Sequence, residues 1–226
     1  MLNRYWIIAW LWGVTLAAGG AEFYAAPNGQ PGGDGSLANP WGLQAALSPP
    51  GTMVRPGDTI WLRGGFYAGP TNIWSANLNG SSNAPILVRQ FPGERATING
   101  GLYVTGSWTW YWGFEITNPD PERNVTNNFA RPEGIDIHGR GCKAINLIVH
   151  DAGHPGIGFW KQMGDGAEVY GCILWGNGMY DWSSGTMDIR GAGIYGQGET
   201  AAENRYIRDS IFFRNFTQGI HLYSTA

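Results

Sequence analysis

Four segments of this chain begin with Gly-Ile and continue as a short strand-like run: Gly134-Ile135-Asp136-Ile137-His138, Gly156-Ile157-Gly158-Phe159-Trp160, Gly193-Ile194-Tyr195-Gly196-Gln197 and Gly219-Ile220-His221-Leu222-Tyr223. They begin 22, 37 and 26 residues apart, and the longest interval contains a polar, glycine-rich stretch at 180–192 that reads as an inserted loop. A repeat of this period is the signature of a stacked architecture, in which each unit buries its apolar face only against its neighbours. Glycine makes up 36 of the 226 residues, more than twice the usual share of roughly 7%, but with no every-third spacing, so a collagen helix is excluded.

A second strand recurs within each period. Asn146-Leu147-Ile148-Val149-His150-Asp151 aligns with Gly171-Cys172-Ile173-Leu174-Trp175-Gly176 and with Asp209-Ser210-Ile211-Phe212-Phe213-Arg214, and Gly113-Phe114-Glu115-Ile116-Thr117-Asn118 is a weaker copy. Stacking coil on coil gives every backbone N–H and C=O a partner in the next turn and places like residues over like. The spacing predicts a parallel β-helix with Ile135, Ile157, Ile194 and Ile220 in one inward ladder. Ile148, Ile173 and Ile211 form a second ladder, unless a one-residue slip turns Val149, Leu174 and Phe212 inward instead. Asn177 and Asn215 fall in one turn register, which gives the sequon asparagine at 215 a structural reading. Near the start, residues 41–47 have one apolar face at helical spacing and read as a capping helix, followed by strands within 56–65 and 85–91.

The run Tyr24-Ala25-Ala26-Pro27-Asn28-Gly29, followed by Asn39-Pro40-Trp41 and by Pro56-Gly57-Asp58-Thr59-Ile60-Trp61-Leu62-Arg63-Gly64-Gly65-Phe66-Tyr67, resembles the opening of exported β-helix proteins of the pectin-lyase-like superfamily. The resemblance covers about residues 22–226. With the general preference for right-handed parallel crossovers, it implies an all-β, right-handed, single-stranded parallel β-helix with a short N-terminal capping helix. The superfamily spans lyases, hydrolases, epimerases and adhesins. The opening is most similar to that of calcium-dependent pectate lyases that use a lysine base, so Ca2+ enters as a cofactor by resemblance only. The aspartate cluster and Asp-Gly-Phe-type motif of those enzymes are not found here, so neither their metal site nor their base is carried over, and no metal-ligating set is assigned.

Residues 1–21 read as a signal peptide: Arg4, an apolar run from Tyr5 to Ala18, then small residues up to Ala21. The β-helix domain is expected over 22–226, with a cap at about 22–55 and coils at about 56–226. It is expected to lack further coils at its C-terminal end, because the chain stops inside one. Export makes disulfides possible, but the repeat register separates Cys142 and Cys172 laterally by about five strand residues at roughly 3.3 Å each. Two buried thiols follow. Net charge is −3 with only two lysines, which leaves no basic footprint for nucleic acid. No span is expected after signal cleavage, and a monomer is.

With the Gly-Ile isoleucines pointing in, strand alternation places Asp136, Gly158, Tyr195 and His221 in one outward column. His138, Trp160, Gln197 and Tyr223 form a second. Flat rings beside acid, imidazole and amide groups suit a sugar chain, and an ordinary exposed strand face has the same composition. His150, Asp151 and His154 form a second cluster, in which a carboxylate beside an imidazole fixes its tautomer and raises its basicity. Lys161 is a candidate base for removing a proton beside a uronate carboxylate. A glycosidase would need two carboxylates about 5–9 Å apart, and Asp136 with Asp151, or Asp181 with Asp188, are the candidate pairs. The expected function is that of an exported or cell-surface protein that binds and cleaves an extracellular, acidic polysaccharide as lyase or hydrolase. The alternative is a non-catalytic adhesive repeat module.

Overall fold

The computed structural model describes residues 19–68, 73–127, 131–160, 163–198 and 204–224. The signal-peptide segment up to residue 18 and Lys161 lie outside the described residues. The chain is a right-handed parallel β-helix with three long sheets, one strand of each sheet per coil. The first sheet has seven strands, running from Glu22–Gln30 through Lys143–Ile145 and Glu168–Tyr170 to Tyr206–Arg208. The second has six and includes Glu115–Thr117, Ile148–His150, Ile173–Trp175 and Ile211–Phe213. The third also has six: Ile73–Ala76, Gly101–Val104, Ile135–Ile137, Ile157–Phe159, Ile194–Gly198 and Ile220–Ser224.

The expected interior ladder is present and longer than the sequence suggested. Trp74, Leu102, Ile135, Ile157, Ile194 and Ile220 lie over one another in the third sheet. All but Ile220, in the last described strand, are buried. In the second sheet the strands align as read, but the slipped register points inward: Ile98, Ile116, Val149, Leu174 and Phe212 form the interior row. Ile148, Ile173 and Ile211 therefore face outward, and Ile211 is 58% exposed. The first sheet supplies a third interior row, Ile60, Val88, Tyr111, Ala144, Val169 and Ile207.

The bends between sheets are as repetitive as the strands. Gly113, Asn146, Gly171 and Asp209 occupy the same turn position on four successive coils, all at positive φ, between 49° and 81°. Glycine reaches that region without strain, and Asn and Asp are the side chains that tolerate it best. One turn on, Asn177 is fully buried. Its amide donates to Val149 O at 3.1 Å and Asn215 Oδ1 at 3.0 Å, while its Oδ1 accepts from Ala152 N at 3.1 Å. Asn215 in turn donates to Leu174 O. The asparagine pair thus satisfies turn carbonyls that the strand ladders leave over.

The cap helix forms over Leu43–Leu47, shorter than the segment expected, with Leu43, Ala46 and Leu47 turned to the interior. It finishes the edge of the third sheet with side chains: Gln44 Nε2 and Ser48 Oγ donate to Ser75 O, and Ser75 N donates to Gln44 Oε1. Coil hydrogen bonding reaches back to Ala21, whose carbonyl accepts from Thr59 N at 2.9 Å. Cys142 and Cys172 are buried free thiols, as the register required.

The second-sheet register predicts unequal neighbours. Leu174→Ala empties an interior position and is expected to cost about 3 kcal/mol, whereas Ile173→Ala on the outer face costs less than about 1 kcal/mol. Equilibrium urea unfolding of the two variants measures both, and a reversed order would mean that the strand is in the other register.

Candidate functional site

The outer face of the third sheet forms the floor of a groove of about 1120 Å³. In-register stacking places Tyr103, Asp136, Gly158, Tyr195 and His221 on successive coils along it. The insertion builds one wall. It folds as an antiparallel hairpin, Met179–Asp181 with Asp188–Arg190, and presents Asp188, Ile189 and Arg190 to the groove. Arg190 is fixed by Asp181 at 2.7 Å and by Asp188 at 3.3 Å.

Asp136, His138, His154, Trp160, Tyr195, Gln197 and His221 all line this groove. Rings join most of them: Trp160 with Tyr195 at 5.1 Å, Tyr195 with His221 at 5.2 Å, and His138 with Tyr103 at 4.6 Å. Gln197 donates to the Tyr195 hydroxyl at 2.8 Å. Tyr223 lies beside Gln197 in a separate, smaller depression of about 480 Å³. His138 Nε2 is 2.7 Å from Asp136 Oδ2, and both side chains are largely buried. A carboxylate on Nε2 holds the proton there and leaves Nδ1 as the nitrogen that accepts one.

His150 and Asp151 are placed elsewhere. They belong to the outer face of the second sheet, so the cluster with His154 does not assemble as read. His150 is held on both nitrogens, Nε2 by Glu115 at 2.9 Å and Nδ1 by Asp151 at 2.8 Å, and is stacked on Trp175 at 4.2 Å. Asp151 is paired with Arg123. An imidazole with both nitrogens committed and one face covered serves packing better than proton transfer. The proposed Asp136–Asp151 pair is thereby separated onto two sheets, and the Asp181–Asp188 pair is bridged by Arg190.

The residue that sequence reasoning missed is Glu133. It lies two residues before the strand Ile135–Ile137, lines the groove, and turns its carboxyl onto Asp136. Burial, then the Asp136 charge and the hydrogen bond between the two carboxyls, push the Glu133 carboxyl well above the usual carboxylate range, and the Trp160 indole N–H pulls weakly the other way. Two hydrogen-bonded carboxyls are too close to flank a glycosidic bond as a hydrolase pair does.

Calcium, introduced by the family resemblance, is held by six to eight oxygens, several of them from carboxylates. Among the described residues, no group of three or more His, Cys, Asp or Glu is arranged to hold a metal ion. Of the three groove carboxyls, Glu133 and Asp136 face each other, Asp136 is also bound by His138, and Asp188 is paired with Arg190. This donor set does not fit a calcium cage, and no step below runs through one.

The fold is a right-handed parallel β-helix with a groove along the outer face of its third sheet. The chain is similar to pectate lyase L of Paenibacillus polymyxa (strain SC2), 43% identical over 147 residues, which cover 60% of this chain and 29% of that protein. It is also similar to pectate lyase PEL9 of Emericella nidulans, 32% identical over 101 residues, which cover 44% of this chain and 23% of that one. The matches thus span only about a quarter of these relatives' length. Among solved structures, pectate lyase Pel9A matches 86% of this chain and 64% of its own at 23% identity, with a TM-score of 0.54. A rhamnogalacturonan lyase matches at 12% identity (TM-score 0.52, 92% of this chain and 63% of that one). XylC, solved in complex with xylose, matches at 11% (TM-score 0.59, 91% and 60%). No family model matches the chain. Among the described residues, no helix is long and apolar enough to cross a membrane.

The Glu115 network makes a pH prediction. Burial pushes this carboxyl up, but hydrogen bonds from Arg95, Thr97 and His150 outweigh it and bring it from 4.5 down to about 2. A folded value below the unfolded one means stabilisation that is complete above the unfolded value and is lost as pH falls through the folded one. Wild type should therefore lose roughly 3 kcal/mol more than Glu115→Gln between about pH 5 and about pH 2. Urea unfolding at the two pH values reads the difference, and parallel losses in the two proteins would refute it.

Proposed function

We propose that this chain is an exported, polysaccharide-lyase-like β-helix that binds an acidic polysaccharide along the groove of its third sheet and cleaves it by β-elimination. The observation that carries the reading is the Asp136–His138 pair on a groove floor shared with Tyr103 and Tyr195, lined also by Trp160 and with Arg190 on its wall. Similarity to pectate lyases supports the same substrate class. Export rests on the n-region, apolar run and small residues of the first 21 positions.

The chemistry follows from the groups present. The rings offer flat apolar faces to sugar rings, and Arg190 supplies a cation for a uronate carboxylate. His138 Nδ1 takes the proton beside that carboxylate. The electron pair left behind forms the ring double bond as the glycosidic oxygen at the neighbouring carbon departs and takes a proton from water. Asp136 stabilises the resulting imidazolium through Nε2–H. Gln197 and His221 offer hydrogen bonds to hydroxyls along the floor.

Polygalacturonate, rhamnogalacturonan and a neutral xylan separate the possibilities. Binding to the acidic polymers, with growth of the ultraviolet absorbance of an unsaturated uronate, is the expected result. His138→Ala should lower the cleavage rate by about a hundredfold or more, and Trp160→Ala should weaken binding by about tenfold. Binding without any unsaturated product would favour the adhesive module, and absence of binding to every polymer would overturn the groove assignment.

A further inference from the structure

Glu133 and Asp136 reach each other across the turn into the strand Ile135–Ile137, and the next coil leaves room for the contact. Gly158 stacks directly over Asp136. A Cβ at Gly158 would stand 3.0 Å from Glu133 Oε2 and 3.3 Å from Asp136 Oδ1. The two oxygens therefore converge on the one floor position that carries no side chain. Asp136 Oδ2 accepts from His138, whereas Oδ1 is buried and receives no hydrogen bond from any N–H group or hydroxyl. Glu133 is half-buried, and its carboxyl is the crowded end, packed against Asp136, Gly158 and Trp160.

Two carboxylates in such contact cannot both remain ionised at low cost, and a single proton between them replaces repulsion with a charge-assisted hydrogen bond. We propose that Glu133 is a positioning residue that holds this proton, donating its O–H to Asp136 Oδ1 so that the pair carries one negative charge and Asp136 Oδ2 stays on His138. The buried acceptor is then satisfied, and the direction in which burial shifts Glu133 agrees.

The surrounding groups leave this proton in place. Trp160, from the next coil, turns a neutral indole N–H to the Glu133 carboxyl. Tyr103, from the preceding coil, covers His138. Arg131 is buried, with its guanidinium donating to the carbonyls of Asn118, Asp120, Glu122 and Asp151. His154 and His221 line the groove further along, as do Tyr195 and the Arg190–Asp188 pair on its wall. When Glu133 does lose its proton at alkaline pH, a second negative charge appears under the groove and repels a polyanionic chain. The consequence for binding rests on the acidic-polysaccharide reading, but the shared proton does not.

Two measurements test the two parts. In the ligand-free protein, infrared spectroscopy should show a protonated carboxyl C=O band at neutral pH that shifts on 13C-glutamate labelling and is lost in Glu133→Gln. In binding titrations with polygalacturonate, wild-type affinity should fall on the order of tenfold from neutral to alkaline pH, and Glu133→Gln, which donates but cannot ionise, should flatten that fall. A purely structural Glu133 would leave the pH profile of the Gln variant unchanged. Thermal unfolding confirms that the variant is folded, and in an unfolded variant the labelled wild-type band still decides. Absence of the band at neutral pH overturns the shared proton. A band without polygalacturonate binding supports the shared proton and refutes the polysaccharide reading instead.

Discussion

Every strand in the three long sheets hydrogen-bonds to the strand one coil away, and that contact fixes the rest of the molecule. A parallel ladder has one register, so each residue acquires a defined neighbour above and below it. Apolar residues at one offset must then align into interior rows, and turn residues into turn rows. The positive-φ positions at Gly113, Asn146, Gly171 and Asp209 show how strictly the bend repeats, since four different local sequences adopt one left-handed backbone region. Asn177 and Asn215 show the cost of the bends, because carbonyls left by the ladders need side-chain amides.

The same register builds the groove. Strand alternation sends Leu102, Ile135, Ile157 and Ile194 inward and the residues after them outward, so the floor is assembled from single positions on successive coils. A floor that advances one strand spacing of roughly 4.8 Å per coil presents its side chains at a regular interval along the helix axis. The hairpin Met179–Asp181 with Asp188–Arg190 adds the wall and the cation that the repeat does not provide.

Much of this was legible from sequence because the Gly-Ile offsets repeat the same local grammar, glycine at the bend and isoleucine inside. The second strand was found in register, but its inward side was not settled. Ile148-Val149, Ile173-Leu174 and Ile211-Phe212 are apolar at both positions, and burial alone decides between them. The first-sheet strand was read within 56–65 and 85–91, but its later copies were not, because Lys143–Ile145, Glu168–Tyr170 and Tyr206–Arg208 each point only one small or branched residue inward. Their outer faces carry charges that read as loop. In the site, Asp136, His138, Trp160 and Tyr195 followed from alternation, whereas Glu133 belongs to no column. Its role arises from a turn that folds it back on Asp136, which no spacing rule encodes. His150 and Asp151 looked chemical by residue type, but the outer row of the second sheet gives them Glu115 and Arg123 as partners.

Placing chemistry on strands rather than loops has an energetic consequence. The interior neighbours of the groove residues, Ile135 and Ile157, are fully buried, and their backbones are bonded on both sides. Asp136 and His138 therefore share the rigidity of the core and much of its shielding from water. A carboxyl held that firmly cannot swing away from a neighbouring carboxyl to relieve repulsion, so the relief has to come from protonation. Glu133 enters from the turn before the strand, and packing against Gly158 and Trp160 holds its carboxyl on Asp136. On this floor, with Gly158 giving them room to meet, the stiffness of the β-helix itself makes a shared proton the state of lower free energy.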